Sequence, residues 1–132
     1  DYGGGVRRLL EAASALPATA YVRSQRARAH LMAEALDALE GRDLLASPSC
    51  MAAPLGIEEA RQGKLGLAQL IRHTSPFNLT GQPALALPTG IGVDKAPHSI
   101  QLVGRPFDEI SVLRVGDAYE RARGPMPDPQ FG

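Results

Sequence analysis

An α/β layer is the fold class this sequence predicts, and three observations carry it. Helical and extended apolar patterns alternate along the chain. The extended runs, residues 44–47, 84–87 and 100–103, are short, largely apolar and bounded by Pro, Gly or charged residues. Hydrophobic residues make up 44% of the 132, enough to build a packed core. Strands of this kind suit a sheet covered by helices above and below. Three short strands and two well-defined helices make only a thin sandwich. The chain therefore reads as the edge or terminal portion of a larger sheet, with an independent small α/β module as the alternative.

Residues 1–5 are expected to be a loose end, because three successive glycines add backbone freedom and no packing area. Residues 6–13 read as a short helix, broken at Ser14 and Pro17. Residues 20–40 form the long helix of the prediction. Val22, Ala29, Met32 or Ala33, Leu36 and Leu39 recur at helical spacing, with Thr19 as a cap and Gly41 closing the end. Arg23, Arg26 and Arg28 come early, and Glu34, Asp37 and Glu40 late. That order opposes the helix dipole, so alanine content and the apolar stripe must hold this helix.

Residues 44–47 are a buried strand entering a turn at Pro48, and residues 49–56 a loop that Pro48 and Pro54 keep irregular. Leu65, Leu67, Leu70 and Ile71 suggest a second helix ending near Ser75 and Pro76. Residues 84–87 are closed by Pro88 and Gly90; residues 100–103 are followed by Gly104 and Pro106. The last helix spans 109–123, capped by Asp108, with Val112, Val115, Tyr119 and Ala122 on one face. A tail from Gly124 carries Pro125, Pro127 and Pro129, and Phe131 is positioned to dock on a neighbour. The organisation is thus a loose end and short helix over 1–19, the main portion over 20–123 and a Pro-rich tail over 124–132.

Lys and Arg number 14 against 14 Asp and Glu, a formal net charge of zero. That balance supplies no general electrostatic reason to bind nucleic acid or an anionic membrane. A single cysteine excludes an intrachain disulfide and fits a reducing, cytoplasmic setting. No apolar run approaches the roughly 20 residues of a spanning helix, and the start has no signal-peptide pattern.

Catalytic motifs are absent. His30, His73 and His98 are unevenly spaced and predict no metal site. Cys50, Ser47 and Ser49 follow or end a strand, but no G-x-S-x-G elbow surrounds them. Thr89-Gly90-Ile91-Gly92-Val93 lacks the third glycine of a dinucleotide turn, so no cofactor is expected. Asp108 and Glu109 suit a helix start. Arg105 either binds a carboxylate or holds a salt bridge to a helix end. The segment from Ser75 to Pro83 is a shaped connection: Asn78 satisfies nearby backbone, Gly81 takes positive φ, and Pro83 sets the approach to a strand. Phe77 either lines a pocket or fills the core.

The run Phe77-Asn78-Leu79-Thr80-Gly81-Gln82-Pro83, continuing to Gly90, resembles the closing region of the amidase signature family. So does Ile100-Gln101-Leu102-Val103-Gly104-Arg105-Pro106-Phe107-Asp108-Glu109, continuing through Leu113-Arg114-Val115 and Ala118-Tyr119-Glu120. Residues 21–28 look like that family's preceding long helix and residues 44–48 like its next strand, so the match runs in order from about 9 to 123. The resemblance implies the C-terminal part of the amidase-signature fold, with short mixed-sheet strands covered by helices. It also implies a serine hydrolase that splits carboxamides to a carboxylate and ammonia or an amine.

In that family a serine nucleophile, a second serine in a cis peptide and a lysine base lie in a Gly/Ser-rich core upstream of the matched region. This chain has no such core, and neither Lys64 nor Lys95 matches the catalytic lysine, so no catalytic residue is carried over. Scaffold or substrate-pocket roles fall on Ser49, Thr74, Phe77 and Asn78. The implied partners are a small-molecule amide and either the missing N-terminal catalytic portion or a second copy. Ser99 stands where the family commonly has glycine. Leu70-Ile71-Arg72-His73 lacks the acidic residue expected in the glutamine-using subunit of tRNA-dependent amidotransferase, which favours a general amidase. The other reading is a non-catalytic binding module on the same scaffold.

Overall fold

A computed structural model describes residues 2–63, 66–92 and 96–127 of the 132. Leu65, Lys64, Lys95, Pro129 and Phe131, which figure in the expectations above, lie outside the described residues. The order is α1 (Gly4–Ser14), α2 (Ala18–Asp37), β1 (Leu45–Pro48), α3 (Ile57–Arg61), α4 (Leu67–Leu70), α5 (Ser75–Thr80), β2 (Ala84–Ile91), β3 (Pro97–Val103) and α6 (Glu109–Arg123).

The strands form one antiparallel sheet in the order β1-β3-β2. Leu85 and Ala46 both lie opposite Leu102, while Leu87 and Pro48 both lie opposite Ile100. Because successive side chains alternate across a sheet, these residues share one face. Helix α6 covers it: Leu87, Leu102 and Val112 are buried together, with Leu44, Leu85, Ile100 and Tyr119 packed around them. The opposite face carries Ala86, Gln101 and Ser47 in one row and Ala84, Val103 and Leu45 in the next.

Strands β2 and β3 both outrun their predicted lengths. β2 continues past Pro88 because the ladder is irregular between Pro88 and Gly90, which places the proline where the regular hydrogen bonds lapse. Of the predicted second helix only the short α4 forms among the described residues, and a further short helix, α5, begins where that prediction ended. The second of these falls on the segment read as a connection, where Pro76 suits the first turn of a helix. Gly81 ends α5 at φ 75°, the left-handed conformation expected of it.

Helix α6 is capped as its sequence predicts, with the Ser111 N–H donating to Asp108 Oδ1 at 3.3 Å. Its inward face runs through Val112, Gly116 and Tyr119 rather than through Val115, which is 39% exposed. Gly116 lets the helix approach so closely that a Cβ there would meet Leu85 Cδ2 at 2.5 Å.

Helices α1 and α2, of 11 and 20 residues, bury no residue at all. The stripe expected to hold α2 stays open, with Val22, Met32 and Leu36 exposed; Leu39, just past the helix, is fully buried. No side chain caps α2, and Pro17 rather than Thr19 occupies its N-cap. What fastens its end is Arg105, whose Nη2 donates to the carbonyls of Leu39 at 2.6 Å and Arg42 at 3.3 Å. Arg105 thus stands at the helix end, but the bonds it makes there are to backbone carbonyls rather than the expected salt bridge. Replacing it with methionine keeps the stem and removes the donors. Chemical unfolding should then show a loss of about 1–3 kcal/mol, since both bonds are charge-assisted. None of the described helices is long and apolar enough to cross a membrane.

Candidate functional site

The residues singled out from sequence fall into two groups on neighbouring segments. Ser49 follows β1, where its N–H donates to the Ser99 carbonyl at 3.1 Å and extends the pairing with β3. Its hydroxyl oxygen is buried without a partner among the described residues. Beside it a cavity of about 330 Å³ opens between the end of β1, the following loop and the start of β3. Pro48, Cys50, Ala52, Pro54, Pro97, His98 and Ser99 line it. Pro48 ends β1 and Pro97 begins β3 within the sheet, while Pro54 lies in the loop that follows β1.

Thr74, Phe77 and Asn78 form the second group, at the start of α5 and within it. Thr74 occupies the N-cap position, but its hydroxyl donates back to the Ile71 carbonyl at 3.2 Å instead of capping the helix. Phe77 is half-buried, and its carbonyl accepts from the Gly81 N–H at 2.8 Å. Asn78 is exposed. None of the three lines the cavity beside Ser49.

Gln101 joins the two groups, and sequence reasoning passed over it. It is 3% exposed on the sheet face opposite α6. Its Nε2 donates to Ser47 Oγ at 2.9 Å and to the carbonyl of His73, the residue before Thr74. The signal available was a lone polar residue inside the apolar run Ile100-Gln101-Leu102-Val103. A buried amide is stable only when its polar atoms are met, which makes such a residue a marker of a specific contact.

Ser47 Oγ is engaged by Gln101, and the exposed Cys50 thiol faces the Leu70 carbonyl at 3.9 Å. Among the described residues no cluster of three His, Cys, Asp or Glu is arranged to hold a metal ion. The chemistry available is that of a wall: an apolar cavity edge, a short helix and hydrogen-bonding groups that fix one to the other.

Sheet, covering helix and wall together define the class, an α/β layer with a short antiparallel sheet. Residues 5–113 match the family model described as Amidase, and the chain belongs to that family. It is 39% identical over 101 residues to a glutamyl-tRNA(Gln) amidotransferase subunit of Chloroflexus aggregans, covering 76% of this chain and 20% of that protein. A crystal structure of an amidase superposes with a TM-score of 0.77 at 33% identity, over 93% of this chain and 29% of the other. The corresponding glutamyl-tRNA(Gln) amidotransferase subunit of Thermotoga maritima superposes with a TM-score of 0.68 at 26% identity, over 92% and 28% respectively. The chain thus spans about a fifth of the length of the curated relatives it matches.

Proposed function

We propose that this chain is the C-terminal portion of an amidase that hydrolyses a carboxamide to a carboxylate and ammonia or an amine. Residues 20–123 supply scaffold and part of the substrate pocket, and the nucleophile, second serine and lysine base come from outside the chain. The observation that carries this reading is the pair of helices α1 and α2, which bury nothing in a chain that spans a fifth of its relatives. Leu9, Leu10, Val22, Met32 and Leu36 are left exposed on them. Apolar surface on that scale is stable in water only when something covers it, and the remainder of the amidase domain is the cover. Ser49, Thr74, Phe77 and Asn78 then serve as scaffold or as part of the substrate pocket, in a cytoplasmic protein that works without a cofactor.

Amide hydrolysis needs a positioned nucleophile, a proton acceptor and groups that stabilise the developing oxyanion. The expected result is that the 132-residue chain alone releases no ammonia from a panel of simple amides. The complete protein should do so, and should lose the activity when its upstream serine or lysine is replaced. Turnover by the isolated chain that a single substitution within it abolishes would overturn the proposal.

A second reading follows from the names of the relatives, several of which are glutamyl-tRNA(Gln) amidotransferase subunits. On that reading glutamine is the amide consumed and the partners are the other subunits. Release of ammonia from glutamine, in preference to simple amides, separates the two.

A further inference from the structure

We propose that Gln101 is a positioning residue that sets the substrate-pocket segment α5 against the sheet. The inference rests on the reading of this chain as part of an amidase pocket and deepens it. Helix α5 has six residues and buries only Thr80; it packs against α2, where Arg28 Nε donates to the Leu79 carbonyl, and its seating against the sheet has to be fixed by other groups. Hydrogen bonds from buried amides do so at both of its ends. Where α5 begins, Gln101 Nε2 grips the His73 carbonyl, and Ser47 Oγ accepts the second bond of the same NH₂ group and so fixes its direction. Where α5 ends, Thr80 Oγ1 donates to Gln82 Oε1 at 2.9 Å, and Gln82 Nε2 donates to the Gly104 carbonyl at 3.0 Å.

Both anchors lead to one strand, because Gln101 lies in β3 and Gly104 directly follows it. Helix α5 is therefore tied to β3 from both of its ends while it packs against α2, and the tie at the Gln101 end seats Thr74. Gln82 and Thr80 are local to the helix end. Gln101 alone reaches across 28 residues to the side where Thr74 sits. Buried and low-dielectric surroundings strengthen these bonds and make an unmet carbonyl costly, so losing the Gln101 donors should release this end of α5.

The test uses the complete protein with Gln101→Met, which keeps length and volume but removes both donors, and with the milder Ser47→Ala. Hydrogen exchange is followed at the Asn78 and Gly81 amides of α5 and at the amides of β2. In Gln101→Met the α5 amides should exchange about tenfold faster, with β2 unchanged, and in Ser47→Ala about threefold faster. For the amide substrate of the complete protein, Gln101→Met should raise KM about tenfold and leave kcat within about twofold. Unchanged α5 exchange, or equal loosening of α5 and β2, would overturn the positioning role. Should Gln101→Met not fold, the same comparison in Ser47→Ala decides. A complete protein that hydrolyses no amide defeats the functional reading, while the exchange comparison still decides the role of Gln101.

Discussion

Leu102→Ala is expected to destabilise the fold by about 2–5 kcal/mol, the range for truncating a buried leucine and leaving a cavity. Leu102 is 6% exposed and sits in the middle strand, with Leu85 on one side and Ala46 on the other. It packs with Leu87 and Val112, the other buried members of the layer between sheet and α6. Its neighbours Leu87 and Val112 are buried in the same layer, and Leu85, Ile100 and Tyr119 pack around it. Denaturant unfolding of the complete protein and the variant provides the measurement, read as a lower midpoint with an unchanged slope. A loss under about 1 kcal/mol would show that the layer repacks around the gap.

Gly104→Ala is expected to cost about 1–3 kcal/mol, although it adds one methyl group. The new Cβ would stand 2.5 Å from Val112 Cγ2 and 3.4 Å from both the Asp108 carbonyl and Pro83 Cγ. Val112 is 3% exposed and β-branched, so it has no easy rotamer to retreat to. The backbone cannot give way either. The Gly104 N–H donates to the Pro83 carbonyl at 3.0 Å, and its carbonyl accepts from Gln82 at 3.0 Å.

Gly116→Ala is the informative contrast. There the close atom is Leu85 Cδ2, the far end of a flexible and only half-buried side chain. Alanine also gains roughly 1 kcal/mol of helix propensity over glycine inside α6. The net change should lie within about 1 kcal/mol of zero, against a clear loss at Gly104. Equal losses at the two glycines would refute the assignment of Val112 and the pinned backbone as the cause.

Much of the local structure was legible in the residues. The Asp108 cap, the left-handed Gly81, the three strands and the closing helix all follow from chemistry acting within a few residues of each position. Helix α5 was not legible, since its six residues hold too little periodicity to outweigh Pro76 and Gly81 as punctuation. Nor was the fate of the α2 stripe. Helical spacing shows that a face is apolar, but what covers it lies elsewhere, and here Leu36 stays open while Leu39 is sealed. Of the candidate site, Ser49, Thr74, Phe77 and Asn78 were chosen from the residues, whereas the bonds from Gln101 to Ser47 and His73 depend on contacts 54 and 28 residues apart in sequence.

By itself the sequence determined the α/β class and the place of the three strands and the closing helix, because caps, turns and apolar periodicity act over one or two turns of chain, and its motifs carried the resemblance to the family. Only the tertiary structure decided the strand order β1-β3-β2, the close approach of α6 at Gly116 and the bond from Gln101 to Ser47 across 54 residues. The physical reason is register. A period of two says which residues share a face, but which residue stands opposite is settled by the packing of the whole sheet against its helices.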